Sequence, residues 1–187
     1  MLHPAVLARH PQTRTNAVQG VEARVGWTSG SSLTLTYSIS GDITRLRIPP
    51  PRSSRRADGL WQHTCFELFL AEKGQQFYWE FNFSPSGEWA AYAFKSYRDG
   101  AAIEDDGLDP KIAVRSAANI LELEALVRLD RLQTIKLQGR LRMGLSTVIE
   151  ENDGTLSYWA LKHPPGKPDF HHPDSFALEL ALPDESA

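Results

Sequence analysis

Residues 63–95 read HTCFELFLAEKGQQFYWEFNFSPSGEWAAYAFK. Three runs, 63–71, 76–83 and 88–95, are rich in Phe, Tyr, Trp and Leu. Glu72-Lys73-Gly74-Gln75 and Ser84-Pro85-Ser86-Gly87 separate them. Short polar breaks between β-prone runs predict hairpins, so the three strands are expected to be antiparallel neighbours. Alternation then assigns the faces. Phe66, Leu68 and Leu70 share one face with Phe77, Trp79, Phe81 and Phe83, which makes that face core. Cys65, Glu67 and Phe69 share the other with Tyr78, Glu80 and Asn82.

The same pattern extends outward. Leu33, Leu35, Tyr37 and Ile39 alternate with Ser and Thr, the mark of a half-buried strand. Gly41-Asp42 makes a turn into a second strand over 43–48, and 49–59, PPPRSSRRADG, is a loop by composition. Residues 99–110 are too rich in Gly and Asp for a strand. Strands are expected over 111–116 and 119–129, with a helical turn within 130–137. Residues 140–150 and 155–162 flank Asn152-Asp153-Gly154, the strongest hairpin turn in the chain. A Pro-rich loop over 163–174 precedes a closing strand over 175–182.

These readings give nine to ten short strands and no long helix: an all-β fold, an antiparallel β-sandwich. The expected organisation is an arm over 1–20, one domain over 21–182, and a short tail over 183–187. A chain of 187 residues can bury roughly 70% of its unfolded surface and needs no disulfide or metal to fold. Twenty Lys and Arg against 23 Asp and Glu leave a net charge of −3, against nucleic acid as partner. The one cysteine, Cys65, excludes an internal disulfide and a cysteine-rich zinc site. No run approaches the roughly 18 apolar residues of a membrane span. The first ten residues lack a signal peptide's organisation, so a cytoplasmic location is expected.

A four-residue loop at 72–75 would set Glu67 opposite Glu80 and Cys65 opposite Asn82. A four-residue loop at 84–87 would set Asn82 beside Trp89 and Glu80 beside Ala91. One face would then gather Glu67, Tyr78, Glu80, Asn82 and Trp89 over a floor of small alanines, a surface suited to a small polar ligand. A solvated outer face is the plainer alternative, but clustered Tyr and Trp are uncommon on one. Glu67 facing Glu80 is also a like-charge pair that needs relief by a cation, a ligand or a shared proton.

Other clusters carry less. His163, Asp169, His171, His172 and Asp174 match no metal spacing and read as a structured loop. Arg52, Arg55 and Arg56 read as a solvated loop rather than an anion site. Cys65 reads as a small packing residue. No GxSxG, P-loop or GxGxxG is present.

The stretch Leu60-Trp61-Gln62-His63-Thr64-Cys65-Phe66-Glu67-Leu68-Phe69 resembles a motif of the DOMON-like superfamily, particularly the family-nine carbohydrate-binding modules. There a tryptophan precedes a strand carrying a Glu-x-Phe pair. Tyr78 to Gly87 is similar to the next strand and turn, and His171-His172-Pro173-Asp174-Ser175-Phe176 resembles the closing His-x-Pro-x-x-Phe segment. The likeness runs over about residues 20–182 and is strongest to a bacterial DOMON-like group.

The resemblance implies a ligand-binding sandwich in which Trp61 stacks on a sugar ring and Glu67 accepts from its hydroxyls. Thr64 stands where the sugar modules often carry Asp, and Phe170 and Trp159 are the candidates for a second ring. Other superfamily members bind haem through Met, His or Lys, which would point to Met143 and His63. The expected site is therefore Trp61, Glu67, Tyr78, Glu80, Asn82 and Trp89, binding a saccharide or similar polyol without catalysis. No metal and no cofactor are expected, with haem or calcium as the alternatives. An enzyme using Glu67 and Glu80 as acid and base is the rival reading. A homodimer through an edge strand or the open face is also open.

Overall fold

The computed structural model describes residues 2–28, 31–132, 135 and 139–182. Among these, twelve strands form: β1 Leu2–Arg9, β2 Val18–Trp27, β3 Ser32–Gly41, β4 Cys65–Glu72, β5 Tyr78–Phe83 and β6 Trp89–Ser96. They continue as β7 Asp99–Ala102, β8 Lys111–Ala117, β9 Ile120–Arg128, β10 Arg140–Glu150, β11 Leu156–Ala160 and β12 Leu178–Ala181. The strand pairings are antiparallel. No long helix occurs among the described residues; the helical segments are single 3₁₀ turns.

The strands make two faces of a sandwich. One sheet runs β1-β2-β3-β9-β8, the other β7-β6-β5-β4-β10-β11, with β12 against the first half of β10. Between the sheets lies one core. Leu33, Leu35, Tyr37, Ile39, Leu121, Leu123 and Val127 meet Phe66, Leu68, Leu70, Trp79, Phe81, Phe83 and Leu145 there. Alternation assigns Leu33, Leu35, Tyr37 and Ile39 and Phe66, Leu68, Leu70, Trp79, Phe81 and Phe83 of this set to the core side, and Phe77, also expected there, is only partly buried at its edge. The hydroxyl of Tyr37 crosses the core to donate to the Glu67 carbonyl at 2.7 Å, so its polar end is satisfied.

Several expectations are corrected. Residues 2–9, expected in a loose arm, form β1, which pairs with β2 from Leu2 to Leu7 and with β11 at Ala8 and Arg9. It stitches the two sheets together through main-chain bonds. Only Leu7 of β1 is buried and Val6 is 74% exposed, so no core period betrays the strand. Residues 43–48 hold a 3₁₀ turn over Ile43–Arg45 instead of a strand, with Ile43 and Leu46 buried at a spacing of one turn. Residues 99–102, expected to be irregular, form the edge strand β7. The closing segment is a 3₁₀ turn over Pro173–Ser175 followed by the shorter β12. The expected helical turn appears as Leu129–Arg131. Residues 133, 134 and 136–138, and the tail over 183–187, lie outside the described residues.

The outer face of the second sheet is not left to solvent. The segment after β11 folds back over it, and Phe170 and Phe176 pack on Phe69, Ala71, Tyr78, Val148 and Ala160. Gly144, opposite Phe69 on β10, permits this approach. A Cβ there would stand 3.3 Å from both the Phe69 Cβ and the Ser175 carbonyl.

Candidate functional site

Two hairpin loops decide which side chains share the covered face. The first is two residues longer than expected, pairing Ala71 with Tyr78. Glu67 therefore stands opposite Asn82, and Phe69 opposite Glu80. A shift of two keeps every side chain on its face. The second loop is three residues, not four. Gly87, at φ 90°, donates its N–H to the Ser84 carbonyl, and Ser84 donates to Glu88. This is a three-residue hairpin with glycine in the left-handed position. That single-residue change turns β6 over, and Phe83 now faces Trp89.

Trp89 consequently points into the core, 1% exposed, and leaves the expected set. In its place Ala90, Tyr92 and Phe94 join Asn82, Glu80 and Tyr78 on the covered face. The other expected residues stay on that face or beside it. Glu67 and Glu80 lie on the same face, 3% and 6% exposed. Trp61 sits on a 3₁₀ turn, Leu60–Gln62, just before β4, with 44% of its surface exposed. Tyr78 and Asn82 are buried behind the two carboxyls.

Trp61, Glu67, Glu80 and Tyr92 line a cleft of about 320 Å³, whereas Tyr78 and Asn82 lie outside its lining. Trp61 and Tyr92 meet edge to face at 6.1 Å, and the Tyr92 hydroxyl donates to Asp58 at 2.9 Å. Phe94, Tyr158 and Phe170 also line the cleft, with Val148, Pro168, Arg98 and His171. Of the two candidates for a second ring, Phe170 lines the cleft, whereas Trp159 is buried in the core and donates to Ser157.

The floor is rich in acceptors. Ser146 donates to Glu67 at 3.5 Å, and Asn82 donates its amide to Glu80 at 2.9 Å. Burial first, then the Glu80 charge, pushes the Glu67 carboxyl well above the ordinary carboxylate range; Ser146 and Arg98 act the other way. Burial pushes Glu80 up to about 7 against the Asn82 amide and the Arg98 charge. His171 is held down to about 4, by burial first and then by Arg98. Its imidazole is therefore neutral at neutral pH. Cys65, buried behind Glu67, has its thiol pushed up by burial and the two carboxyls, which suits a packing residue and not a nucleophile.

Tyr92, Phe94, Tyr158, Arg98 and His171 line the cleft but are not in the site expected from sequence. Tyr92 and Phe94 were hidden by the turn length. His171 carried a signal in the closing segment, where it holds the first place of the His-x-Pro-x-x-Phe pattern. Arg98 carried none. It turns the β6–β7 corner at φ 57°, donates its N–H to the Tyr78 hydroxyl at 3.1 Å, and pairs with Asp169 at 2.9 Å.

The remaining clusters are internally matched. Arg52 and Arg55 pair with Glu88, and Arg56 with Asp58. His63 bonds Glu150 at 2.7 Å, and Met143 is fully buried in the core. Thr64 donates to the Arg47 carbonyl and accepts from the Glu150 N–H. No group of His, Cys, Asp or Glu among the described residues is arranged to hold a metal.

Comparison with solved structures identifies the fold. A candidate carbohydrate-binding protein from Bacteroides uniformis superposes with a TM-score of 0.68 at 14% identity, over 93% of this chain and 83% of that one. Two structures of a family-nine carbohydrate-binding module from Caldicellulosiruptor kristjanssonii also match. The complex with cellotriose gives 0.55 at 11% identity, over 88% and 75% of the two chains. The complex with glucose gives 0.53 at 13% identity, over 92% and 80%. The chain has the fold of these carbohydrate-binding modules. No family model matches its sequence, and no curated protein matches it. At such identities the fold alone is shared, and the cleft must be read from its own residues.

Proposed function

We propose that this chain is a non-catalytic domain that binds a saccharide in the cleft between Trp61 and His171. The observation that carries the reading is the pairing of an accessible ring with a buried, acceptor-rich floor. Trp61 and Tyr92 offer apolar surface for the C–H face of a pyranose. Glu67 and Glu80 offer acceptors for hydroxyl groups, held on adjacent strands of a rigid sheet. The volume of the cleft lies at the small end of the usual range for ligand sites. The kinship of fold with modules solved in complex with glucose and cellotriose supports the same reading.

Titration with glucose, cellotriose and a panel of other sugars, followed by tryptophan fluorescence and calorimetry, tests the proposal. Binding that Trp61→Ala abolishes is the expected result. Absence of binding across the panel would overturn it.

A further inference from the structure

We propose, building on the saccharide reading above, that the preferred ligand is an amino sugar whose ammonium group sits between Glu67 and Glu80. The argument starts from a comparison of the buried carboxylates. Besides these two, the described residues include three: Glu88, Glu150 and Glu151. Each of the three meets an arginine. Glu88 pairs with Arg52 and Arg55, Glu150 with Arg47, and Glu151 with Arg45. The fold therefore supplies a cation to every buried carboxylate outside the cleft and to neither inside it.

Glu80 has only neutral His171 at 3.7 Å and the Asn82 amide. Glu67 has only the long contact from Ser146 to its Oε2. Its Oε1 accepts nothing among the described residues, although the side chain is almost wholly buried and lines the cleft. The Asn82 carbonyl, fully buried beside both carboxyls, also has no partner. Arg98 is the one guanidinium lining the cleft, and Asp169 and the Tyr97 hydroxyl hold it at 2.9 and 3.3 Å. What is missing from this floor is a donor that carries positive charge.

The walls fit the same ligand. Trp61, Tyr92, Phe94, Tyr158 and Phe170 surround the carboxyls with ring surface, which attracts cations as well as C–H groups. A neutral hexose would satisfy some acceptors but bring no counter-charge that lets the carboxyls ionise. An ammonium in the same ring position supplies three donors and the counter-charge together.

Proton linkage gives a readout that needs no variant. Without ligand burial favours the protonated form of both carboxyls; an ammonium favours their ionised forms and displaces protons to solvent. Of the other groups around them, His171 is neutral, Arg98 and Asp169 are paired, and Tyr78, Tyr92, Tyr158 and Cys65 are all raised, so these stay protonated at neutral pH.

The experiment is calorimetry on the full chain near neutral pH with matched pairs: glucose and glucosamine, galactose and galactosamine, mannose and mannosamine, with N-acetylglucosamine as the uncharged amide. The amine of at least one pair should bind about tenfold tighter than its neutral partner, the worth of a charge-assisted bond. Its binding should release protons, seen as a heat that changes with the buffer's ionisation enthalpy. Glu67→Gln and Glu80→Gln should each erase the preference. Neutral sugars that bind as tightly as their amines, or amine binding without proton release, would overturn this inference and leave the saccharide reading intact. If no member of the set binds, this inference falls, and the wider panel with cellotriose decides the saccharide reading.

Discussion

Tyr78 and His171 are joined by a 2.9 Å hydrogen bond between the phenol oxygen and Nδ1. Its direction follows from a third group. The Arg98 N–H already donates to the same phenol oxygen, so the Tyr78 proton is directed at His171. A neutral imidazole that accepts at Nδ1 carries its hydrogen on Nε2. That nitrogen faces Glu80 Oε2 at 3.7 Å. The corner of β6 and β7, the covering segment and the cleft floor thus form one polar chain.

This arrangement sets a pH dependence. Glu80 titrates near 7 in the folded chain against a usual 4.5, so its contribution to stability is full below about 4.5 and is lost as pH rises through 7. His171 titrates near 4 against 6.5, so its contribution is present above 6.5 and lost as pH falls through 4. Between roughly 4.5 and 6.5 the two slopes oppose each other, and the raised carboxyl of Glu67 adds to the fall toward alkaline pH. Glu80→Gln removes the part of that fall that Glu80 contributes. Denaturant unfolding of the variant should match the wild type near pH 4. It should exceed the wild type near pH 8, by up to about 3 kcal/mol. Parallel curves across that range would show that Glu80 is not held protonated.

Arg98 gives a second test of the same electrostatics. Its backbone sits at φ 57°, which costs a non-glycine residue about 1–2 kcal/mol. The Arg98–Asp169 pair is half exposed on the arginine side and offsets little of that. Arg98→Gly should therefore leave the melting temperature unchanged or slightly higher. It also removes a positive charge that lowers both carboxyls, so Glu80 should titrate above its wild-type value. Carbon-detected NMR titration of the Glu80 carboxyl measures this, and a fall would contradict the placement of Arg98.

Gly144 should be intolerant of a side chain. Valine favours a strand, but its Cβ would press on Phe69 and on the Ser175 carbonyl. Overpacking of this kind costs about 1–3 kcal/mol and would lift the segment that carries Phe170 and His171. Gly144→Val should lower the melting temperature and weaken sugar binding together. A variant as stable as the wild type would mean that the covering segment does not rest on β10.

The legible parts of the sequence were those where period and burial coincide. Leu33 to Ile39, Phe66 to Leu70 and Trp79 to Phe83 alternate against one core, and all fall where alternation puts them. Residues 2–9 and 99–102 form strands without a buried period, held by main-chain bonds at a seam and an edge, so side chains could not announce them. In the site, Glu67 and Glu80 survived a register error because it was of two residues. Trp89 did not survive one of a single residue. His171 and Phe170 reach the cleft through a long-range fold-back that local pattern does not encode.

Trp61 and Trp89 separate the register from the site. Trp61 is exposed at the rim, and Trp89 is packed in the core behind the same sheet. Trp89→Ala should cost about 3–5 kcal/mol and lower the unfolding midpoint strongly. Trp61→Ala removes a half-exposed ring that touches Tyr92, and should shift the midpoint little while abolishing saccharide binding. Fluorescence distinguishes the residues as well. Acrylamide should quench Trp61 readily and Trp89 hardly at all, and ligand should protect only the first. Had the second hairpin loop been four residues long, the two tryptophans would share the cleft, and both substitutions would weaken binding without unfolding the domain. Equal and mild effects on stability would therefore reject the three-residue turn at Gly87, and with it the placement of Tyr92 and Phe94 in the cleft wall.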